Sequence, residues 1–574
     1  MRPLVSIDIF DTAIFRKVYK PTDIFDIVEK EVGGNFKELR VRAQEKALRA
    51  IPSYTILDIY KYLPRFNPRE EIRAEYYNCE ANPYILDMYN KGEADYIFIS
   101  DMYLPSDVLK GMLEHCGYKN PEVYVSCEHG STKAGGKLFK KVEALLGRKI
   151  SKHIGDNYNC DILGAKKANI EEQEFVGPPI YNKEVVTPEL KDVRLRKLIV
   201  DKELSNSSVA EKIGYLFAPL TLAFTKVTLD EAKDDQTIFF NARDGYVMYI
   251  IARWLLKTKK NIKYCRFSRK SCHFPNINVN RRIDSEYNEK AMKFFRSLRV
   301  QTIQDFLDTF DFEKDYKDEL KELGITLSTN LDFRSDKQKL LSQFVTMIQT
   351  DIYEKARQER VNILKYIENL GMKDNDIFVD LGHFGSMQSI IHKITGYNLR
   401  GRYVHTFECG DYFKGVREDK ASFLPKGVLA PFTGIVELIY SEPTGTVVSY
   451  TDKGVPVLNK DTKYRKEVVK GLLKGVIEGV KDILENKVAI YYDDCITLMN
   501  RFLYSPTLEE AKFGNSKLFE NGSYKENESI VWFDKDLIRQ GKLKECYNRS
   551  YWKTAFKIIL ENDKEYKSLR GIIK

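Results

Sequence analysis

At 574 residues the chain is too long for one hydrophobic core, and its 43% hydrophobic and 12% aromatic content supplies apolar surface for two or three folded domains, which sets disorder aside. The net charge of +9 is too small a surplus for a nucleic-acid binder and suits a protein handling anionic small molecules or resting near an anionic membrane. Nine scattered cysteines without a Cys-x-x-Cys pair suggest neither a disulfide framework nor a zinc site, so a reducing cytoplasm is the expected home; no secretory leader or run of eighteen apolar residues is read.

In chain order, short β-rich runs alternate with helical spacing. Leu4 to Phe10, Tyr96 to Ser100, Val123 to Ser126, His153 to Gly155 and Glu174 to Val176 predict a parallel sheet wrapped by helices. Between the first two runs, residues 20–88 carry apolar positions at helical spacing (Ile24, Ile27, Val28, then Ile56, Ile59, Tyr62) and read as a helical cap. Gly177-Pro178-Pro179 breaks regular structure, placing a first domain at 1–185 and a helical connector at 186–230. A second α/β block over 231–460 has strands at Thr237 to Asn241, Lys263 to Ser268, Ile377 to Leu381 and Arg402 to Phe407, with a charged helical insert at about 288–370. Residues 461–574 read as helices. The expected fold class is α/β: two Rossmann-like parallel-sheet domains and a helical C-terminal region.

Ligands of parallel α/β sheets bind beyond the carboxyl ends of the strands. In the first block those ends read Asp8-Ile9-Phe10-Asp11-Thr12, Ser100-Asp101 and Gly155-Asp156 with Asp161 five residues on, while Gly130 to Lys137 brings Lys133 to a helix start. Phosphoryl transfer explains such a set. A carboxylate displaces an alcohol from phosphorus only when a divalent metal cancels the repulsion between the two anions, and Asp8 and Asp156 can hold one. The Ser100 hydroxyl and Lys133 ammonium can then stabilise charge on the equatorial oxygens. Each piece alone is also an ordinary turn or helix cap; four in order point to chemistry.

The pattern Asp8-x-x-x-Thr12, Ser100, Lys133 and Gly155-Asp156-x-x-x-x-Asp161 resembles the four ordered motifs of the haloacid dehalogenase superfamily over about the first 180 residues. The resemblance implies Asp8 as nucleophile, Ser100 and Lys133 as phosphate clamps, and Mg2+ held by Asp8, Asp156 and the Phe10 carbonyl with Asp161 in support. Thr12 and Asp101 would lie against substrate. One departure stands out: phosphatases of this superfamily usually carry a general acid two residues after the nucleophile, and this chain has Phe10. The nearest carboxylate, Asp11, sits one residue further on, and losing a general acid typically costs about 10²–10⁴ in rate.

In the second block, one strand runs into Ala242-Arg243-Asp244-Gly245, another into Ser268-Arg269-Lys270-Ser271, and a third reads Asp380-Leu381-Gly382-His383-Phe384-Gly385-Ser386-Met387-Gln388 into a helix. A strand, an acid and a glycine-bearing loop opening a helix can hold a phosphate on backbone N–H groups while the carboxylate takes neighbouring hydroxyls, and Arg243 and Arg269 could meet a pyrophosphate. Common turns would give the same pieces. As a set they resemble a divergent type I phosphoribosyltransferase, which implies pyrophosphate at Arg243, Asp244 and Gly245, with Ser268 and Arg269 nearby. The same resemblance puts the ribose hydroxyls and 5-phosphate of PRPP at the loop of Asp380, Gly382, His383, Gly385, Ser386, Met387 and Gln388. That family usually shows two adjacent acids; here Leu381 follows Asp380.

The pairing of the two blocks resembles the two-domain enzymes of bacterial capsule and O-antigen assembly. It implies a ribofuranosyltransferase in which PRPP donates 5-phosphoribose to a glycan acceptor carried on lipid and the first domain removes the 5-phosphate. Glu437 could act as base toward the acceptor hydroxyl, although its surroundings, Ser441 to Thr446, also read as a surface hairpin. The stretch Tyr547 to Phe556 interleaves basic and aromatic residues and could rest on the cytoplasmic membrane face, or pack as a terminal helix. Two other readings stay open: a sugar-phosphate phosphatase with a non-catalytic binding domain, and a scaffold of polysaccharide assembly.

Overall fold

A computed structural model describes residues 2–51, 53–176, 188–277, 302–330, 337–407, 420–520 and 527–573. The chain folds as two compact units, Met1–Asn206 and Ser207–Lys574.

The first unit is built on β1 (Leu4–Ile7), whose four residues are all buried as expected of a central parallel strand. Its other strands are β4 (Asp95–Ser100), β5 (Val123–Val125), β6 (Lys152–Gly155) and β7 (Glu172–Phe175), arranged β5-β4-β1-β6-β7 with every neighbour parallel. The first strand stops three residues before the expected Phe10. Asp11 takes a left-handed φ of 58°, and the N–H groups of Ala13 and Ile14 turn back onto the Ile9 carbonyl.

The chain then enters a two-stranded antiparallel ribbon, β2 (Ile14–Arg16) with β3 (Cys79–Ala81), where Arg16 pairs with Cys79. The cap hangs between these strands as helices Ile24–Val32, Phe36–Ala50, Ile56–Tyr60 and Pro68–Tyr77. Helix starts follow the sequence: Thr55 and Asp58 form a capping box, and Asn67 caps a helix whose first residue is Pro68. A wholly buried pair, Arg40 with Glu71, crosses the cap; two hydrogen bonds of 2.5 and 2.7 Å join them and the Tyr60 hydroxyl adds a third at 3.0 Å. Charges so buried persist because they are paired with each other and hydrogen-bonded.

The second unit has β8 (Thr237–Asn241), β9 (Asn261–Cys265), β10 (Ile377–His383), β11 (Arg400–Thr406) and β12 (Lys420–Ser422), in the parallel order β12-β11-β10-β8-β9. Strand β9 ends at Cys265 rather than Ser268, because the Ser268 hydroxyl takes the Ser271 N–H at 3.0 Å and closes a turn. A small ribbon, β13 (Val447–Tyr450) with β14 (Pro456–Leu458), follows. Both units are thus α/β with a five-stranded parallel sheet, the expected fold class.

Domain limits differ from those read in sequence. Helix Val193–Leu204 buries Leu195, Ile199 and Val200 within the first unit, whereas Val209–Leu216 packs on Lys463–Glu485, with the Tyr215 hydroxyl 2.7 Å from Asp482. The connector is therefore divided between the units, and the C-terminal helices belong to the second one. In the tail Trp552 is fully buried and donates its indole N–H to Leu503 at 2.7 Å, and Phe556 is buried, while Tyr551 between the basic residues is 62% exposed. Among the described residues no helix is long and apolar enough to cross a membrane.

Candidate active site

The carboxyl ends of β1, β4 and β6 lie side by side, and the sequence-expected residues that follow them converge. Asp8 keeps its N–H on the Ile154 carbonyl at 2.8 Å, which fixes where its side chain leaves the sheet. Its Oδ1 receives the Lys133 ammonium at 2.5 Å, and the same ammonium sits 2.5 Å from Oδ1 of Asp161. Asp8, Asp156 and Asp161 each offer an oxygen within 4.8 Å of the others, which makes a set able to hold a metal ion. Ser100 ends β4 and is buried; among the described residues no hydrogen bond engages its hydroxyl.

Lys133 is aimed by its loop. Its own N–H lies 3.0 Å from each oxygen of Asp101, so Asp101, expected against substrate, instead anchors the lysine loop. Thr12 is likewise committed: its one hydroxyl proton is shared between Asp156 Oδ1 at 3.3 Å and the Val176 carbonyl at 3.4 Å, which turns it toward the acid rather than outward. Asp161 is wholly buried with both oxygens engaged, Oδ1 by Lys133 and His153 and Oδ2 by the Asn157 N–H at 2.8 Å. Its carboxylate fits flush against β6 because residue 155 is glycine; a Cβ there would stand 2.3 Å from Asp161 Cγ.

Sequence reading missed the support behind these groups. Ser6 and His153 are register partners on β1 and β6, and the Ser6 hydroxyl meets His153 Nδ1 at 2.8 Å while Nε2 faces Asp161 at 3.1 Å. Two polar residues at neighbouring positions of buried strands were the available signal. In the turn after Asp8, the Asp11 N–H goes to Ile14 and those of Ala13 and Ile14 to Ile9, leaving the Phe10 carbonyl outside the set. The Phe10 ring is covered by the Arg16 guanidinium 3.9 Å above its centroid, which is itself held by Glu75 through bonds of 2.9 and 3.1 Å. A fixed cation thus stands over Phe10, two residues after Asp8.

The electrostatics follow from acids outnumbering the lysine. Burial and the Asp8, Asp11 and Asp161 carboxylates push Asp156 up to about 7. Burial raises Asp8 against the pull of Lys133, and burial likewise raises Asp101 and Asp11. For Asp161 burial is outweighed by Lys133 and His153, which hold its carboxyl below the ordinary range. Burial opposes charge on Lys133, but Asp8, Asp161 and Asp101 overcome it and raise its pKa. The site holds more negative charge than its own cation balances, which is the condition a divalent ion meets.

In the second unit the loops after β8 and β10 are neighbours. Asn241, buried at the end of β8, donates to Asp380 Oδ2 at 3.3 Å and accepts the Phe267 N–H at 3.0 Å, so it ties three strand ends together; sequence reading gave it no role. Asp380 Oδ1 accepts the Leu381 N–H at 2.9 Å. Burial pushes Asp380 up to about 7 against those hydrogen bonds, with the Glu437 carboxylate adding to the rise, so Glu437 from helix Thr433–Tyr440 approaches it.

Arg243 and Asp244 are half-buried in the loop after β8, Gly245 closes that loop onto Asn241 at 2.7 Å, and Arg269 is exposed. Gly385 takes a left-handed φ of 64° before helix Ser386–Thr395. Three expected substrate contacts are spent elsewhere. Met387 is buried in the apolar core, the Gln388 amide is held by Leu399 at 2.6 Å and Tyr403 at 2.8 Å, and the Ser268 hydroxyl donates to Val447 at 2.7 Å. The side chain of His383 lies outside the described residues. The Ser441 to Thr446 turn is no surface hairpin, since Glu442 is buried and bonded twice to Arg266, at 2.6 and 2.7 Å.

Among solved structures the chain is similar to a 2-haloacid dehalogenase from Pseudomonas syringae pv. tomato DC3000, at 14% identity and a TM-score of 0.24, over 36% of this chain and 100% of that one. No protein-family model matches the sequence, and no curated protein matches it.

Proposed function

We propose that the first unit is a magnesium-dependent phosphomonoester hydrolase of the haloacid dehalogenase type with Asp8 as nucleophile. The observation that carries this is the meeting of Asp8, Asp156 and Asp161 within 4.8 Å around a single buried lysine. With Oδ1 of Asp8 held by Lys133, its other oxygen attacks phosphorus, the bond to the leaving oxygen breaks, and an aspartyl-phosphate forms on Asp8 for water to open. Lys133 and the Ser100 hydroxyl stabilise the equatorial oxygens. Bound magnesium supplies the positive charge that lets one anion approach another, and Asp8, Asp156 and the Phe10 carbonyl would hold it. Asp161 aims Lys133 and the Asp156 loop from behind. Asp11, whose carboxylate is among the charges that raise Asp156, supplies the proton to the leaving alcohol in place of an acid at Phe10.

We further propose that the second unit transfers 5-phosphoribose from PRPP to a lipid-linked glycan acceptor, in surface polysaccharide assembly at the cytoplasmic membrane face, and that the first unit then removes the 5-phosphate. Asp380, steadied by Asn241 at the mouth of adjacent parallel strands, supports a role toward the ribose hydroxyls, and Glu437 a role as base. Release of pyrophosphate and then phosphate pulls the transfer forward.

The burial of Met387 and Gln388 favours a second reading, a sugar-phosphate phosphatase whose second unit only binds. Incubation with PRPP, magnesium and glycan acceptors separates the two. Asp8→Asn should accumulate a phosphorylated pentosyl product and Asp380→Ala should make none. Dephosphorylated product from Asp8→Asn would remove Asp8 from its role, and no pyrophosphate release from wild type would leave only the phosphatase.

A further inference from the structure

Outside the phosphate site, the first unit brings together two thiols from distant parts of the chain. Cys79 lies on β3, in the ribbon from which the cap hangs, and Cys116 ends helix Ser106–His115, which follows the strand carrying Ser100. Their Sγ atoms are 3.5 Å apart. A disulfide needs sulfurs about 2.05 Å apart, a gap that small side-chain rotations close. We propose that Cys79 and Cys116 are a reversible dithiol–disulfide pair that fastens the base of the cap to the core of the first unit.

The two sulfurs are differently placed. Cys79 is 2% exposed, whereas Cys116 is half-buried and open to a small reagent. Cys116 is the thiol that reacts first: its contact with Cys79 and the charge of Lys17 lower its pKa, while that contact and burial raise Cys79. The Lys17 N–H donates to Asn78 at 2.7 Å, which keeps this cation on the ribbon beside the pair.

The oxidant is a low-molecular-weight disulfide. The Cys116 thiolate attacks one of its sulfurs, forming a mixed disulfide and expelling a thiolate that takes up the proton Cys116 lost. Cys79 then gives its proton to solvent and attacks the Cys116 sulfur; the protein disulfide forms, and the second small thiol leaves and is protonated. One small disulfide becomes two small thiols as two protein thiols become a disulfide. The consequence reaches the phosphate site, because Arg16, which covers the Phe10 ring, is the ribbon partner of Cys79.

The test equilibrates the full chain with oxidised glutathione under native conditions, then counts thiols after denaturation and maps peptides. Wild type should lose two of its nine thiols to a Cys79–Cys116 disulfide, beyond any lost to glutathione adducts, and reduced glutathione should restore all nine. Half-exposed thiols such as Cys127 or Cys160 that pick up glutathione would appear in the map as separate adducts. Cys79→Ser should trap glutathione on Cys116, and Cys116→Ser should leave Cys79 unmodified. Amide exchange of the β2–β3 ribbon should slow in the oxidised protein. Cys79 and Cys116 remaining unlinked in wild type, or Cys116 joining a different cysteine, would overturn the proposal whatever the variants do.

Discussion

Lys133 holds its ammonium 2.5 Å from Oδ1 of Asp8, with both side chains buried. The same ammonium reaches Asp161, so one cation steadies two acids that would otherwise repel each other. Breaking a buried pair by removing one partner costs about 3–5 kcal/mol because the survivor stays charged and buried. Lys133→Met should therefore lower stability by about that amount in urea unfolding without divalent ions, and magnesium should recover part of the loss. Asp8→Asn removes a negative charge from a crowded set, and its unfolding midpoint should stay near wild type while aspartyl-phosphate formation is lost. A Lys133→Met protein as stable as wild type in metal-free buffer would show that the acids do not depend on the lysine.

Asp156 gives the site a pH signature. Its folded pKa is raised from 3.8 to about 7, so between those values the folded state holds a proton that the unfolded state has released. Stability without metal should accordingly fall as pH rises from about 4 to about 7, then level off. Magnesium must displace the same proton, so its apparent affinity should climb by up to about tenfold per pH unit below pH 7 and flatten above. Calorimetric titration at several pH values checks this, and Asp156→Asn should abolish both slopes. Magnesium affinity independent of pH across that window would take Asp156 out of the ion's coordination.

The parts of this architecture carried by local pattern were legible in the sequence. Strand β1, the cap helices and the order Asp8, Ser100, Lys133, Asp156 follow from apolar runs and from acids that directly succeed them. What stayed hidden depends on which way a side chain turns after the strand ends. Asp101 and Thr12 sit among site residues in sequence, yet they bond to Lys133 N–H and Asp156. Met387 and Gln388 open a helix, and its period of 3.6 residues carries them into the core. Asn241 and His153 drew no attention because a polar residue in an apolar strand shows its purpose only once its cross-strand partner is known.

Gly382 tests the second sheet. Its φ is 134°, and a Cβ added there would fall 1.6 Å from the His405 carbonyl oxygen on β11. Gly382→Ala must push β10 from its neighbour just after Asp380, and a cost above about 2 kcal/mol is expected from such backbone conflicts. Unfolding of the full chain should show the transition of the second unit shifted while that of the first is retained. Phosphatase activity should survive in this variant, and pyrophosphate release from PRPP should disappear.

Phe10 and Asp11 set the dependence on leaving group. Without an acid two residues after Asp8, aryl phosphates, whose phenolate leaves without a proton, should be hydrolysed readily, and alkyl phosphates should depend on whatever group donates one. Asp11 is the nearest candidate in sequence, and burial raises its pKa against the pull of Arg16 and Lys197. Asp11→Asn should lower kcat/KM for alkyl phosphates by about 10²–10⁴ and leave an aryl phosphate such as p-nitrophenyl phosphate almost unchanged. Equal losses on both substrates would mean that Asp11 shapes the site and donates no proton. Phe10→Asp offers the complementary arm: the Arg16 guanidinium lies 3.9 Å from the ring centroid and would hold a new carboxylate ionised. An acid in that state cannot protonate the leaving oxygen, so Phe10→Asp alone should give no gain on alkyl phosphates, and a clear gain would show that Arg16 does not control this position.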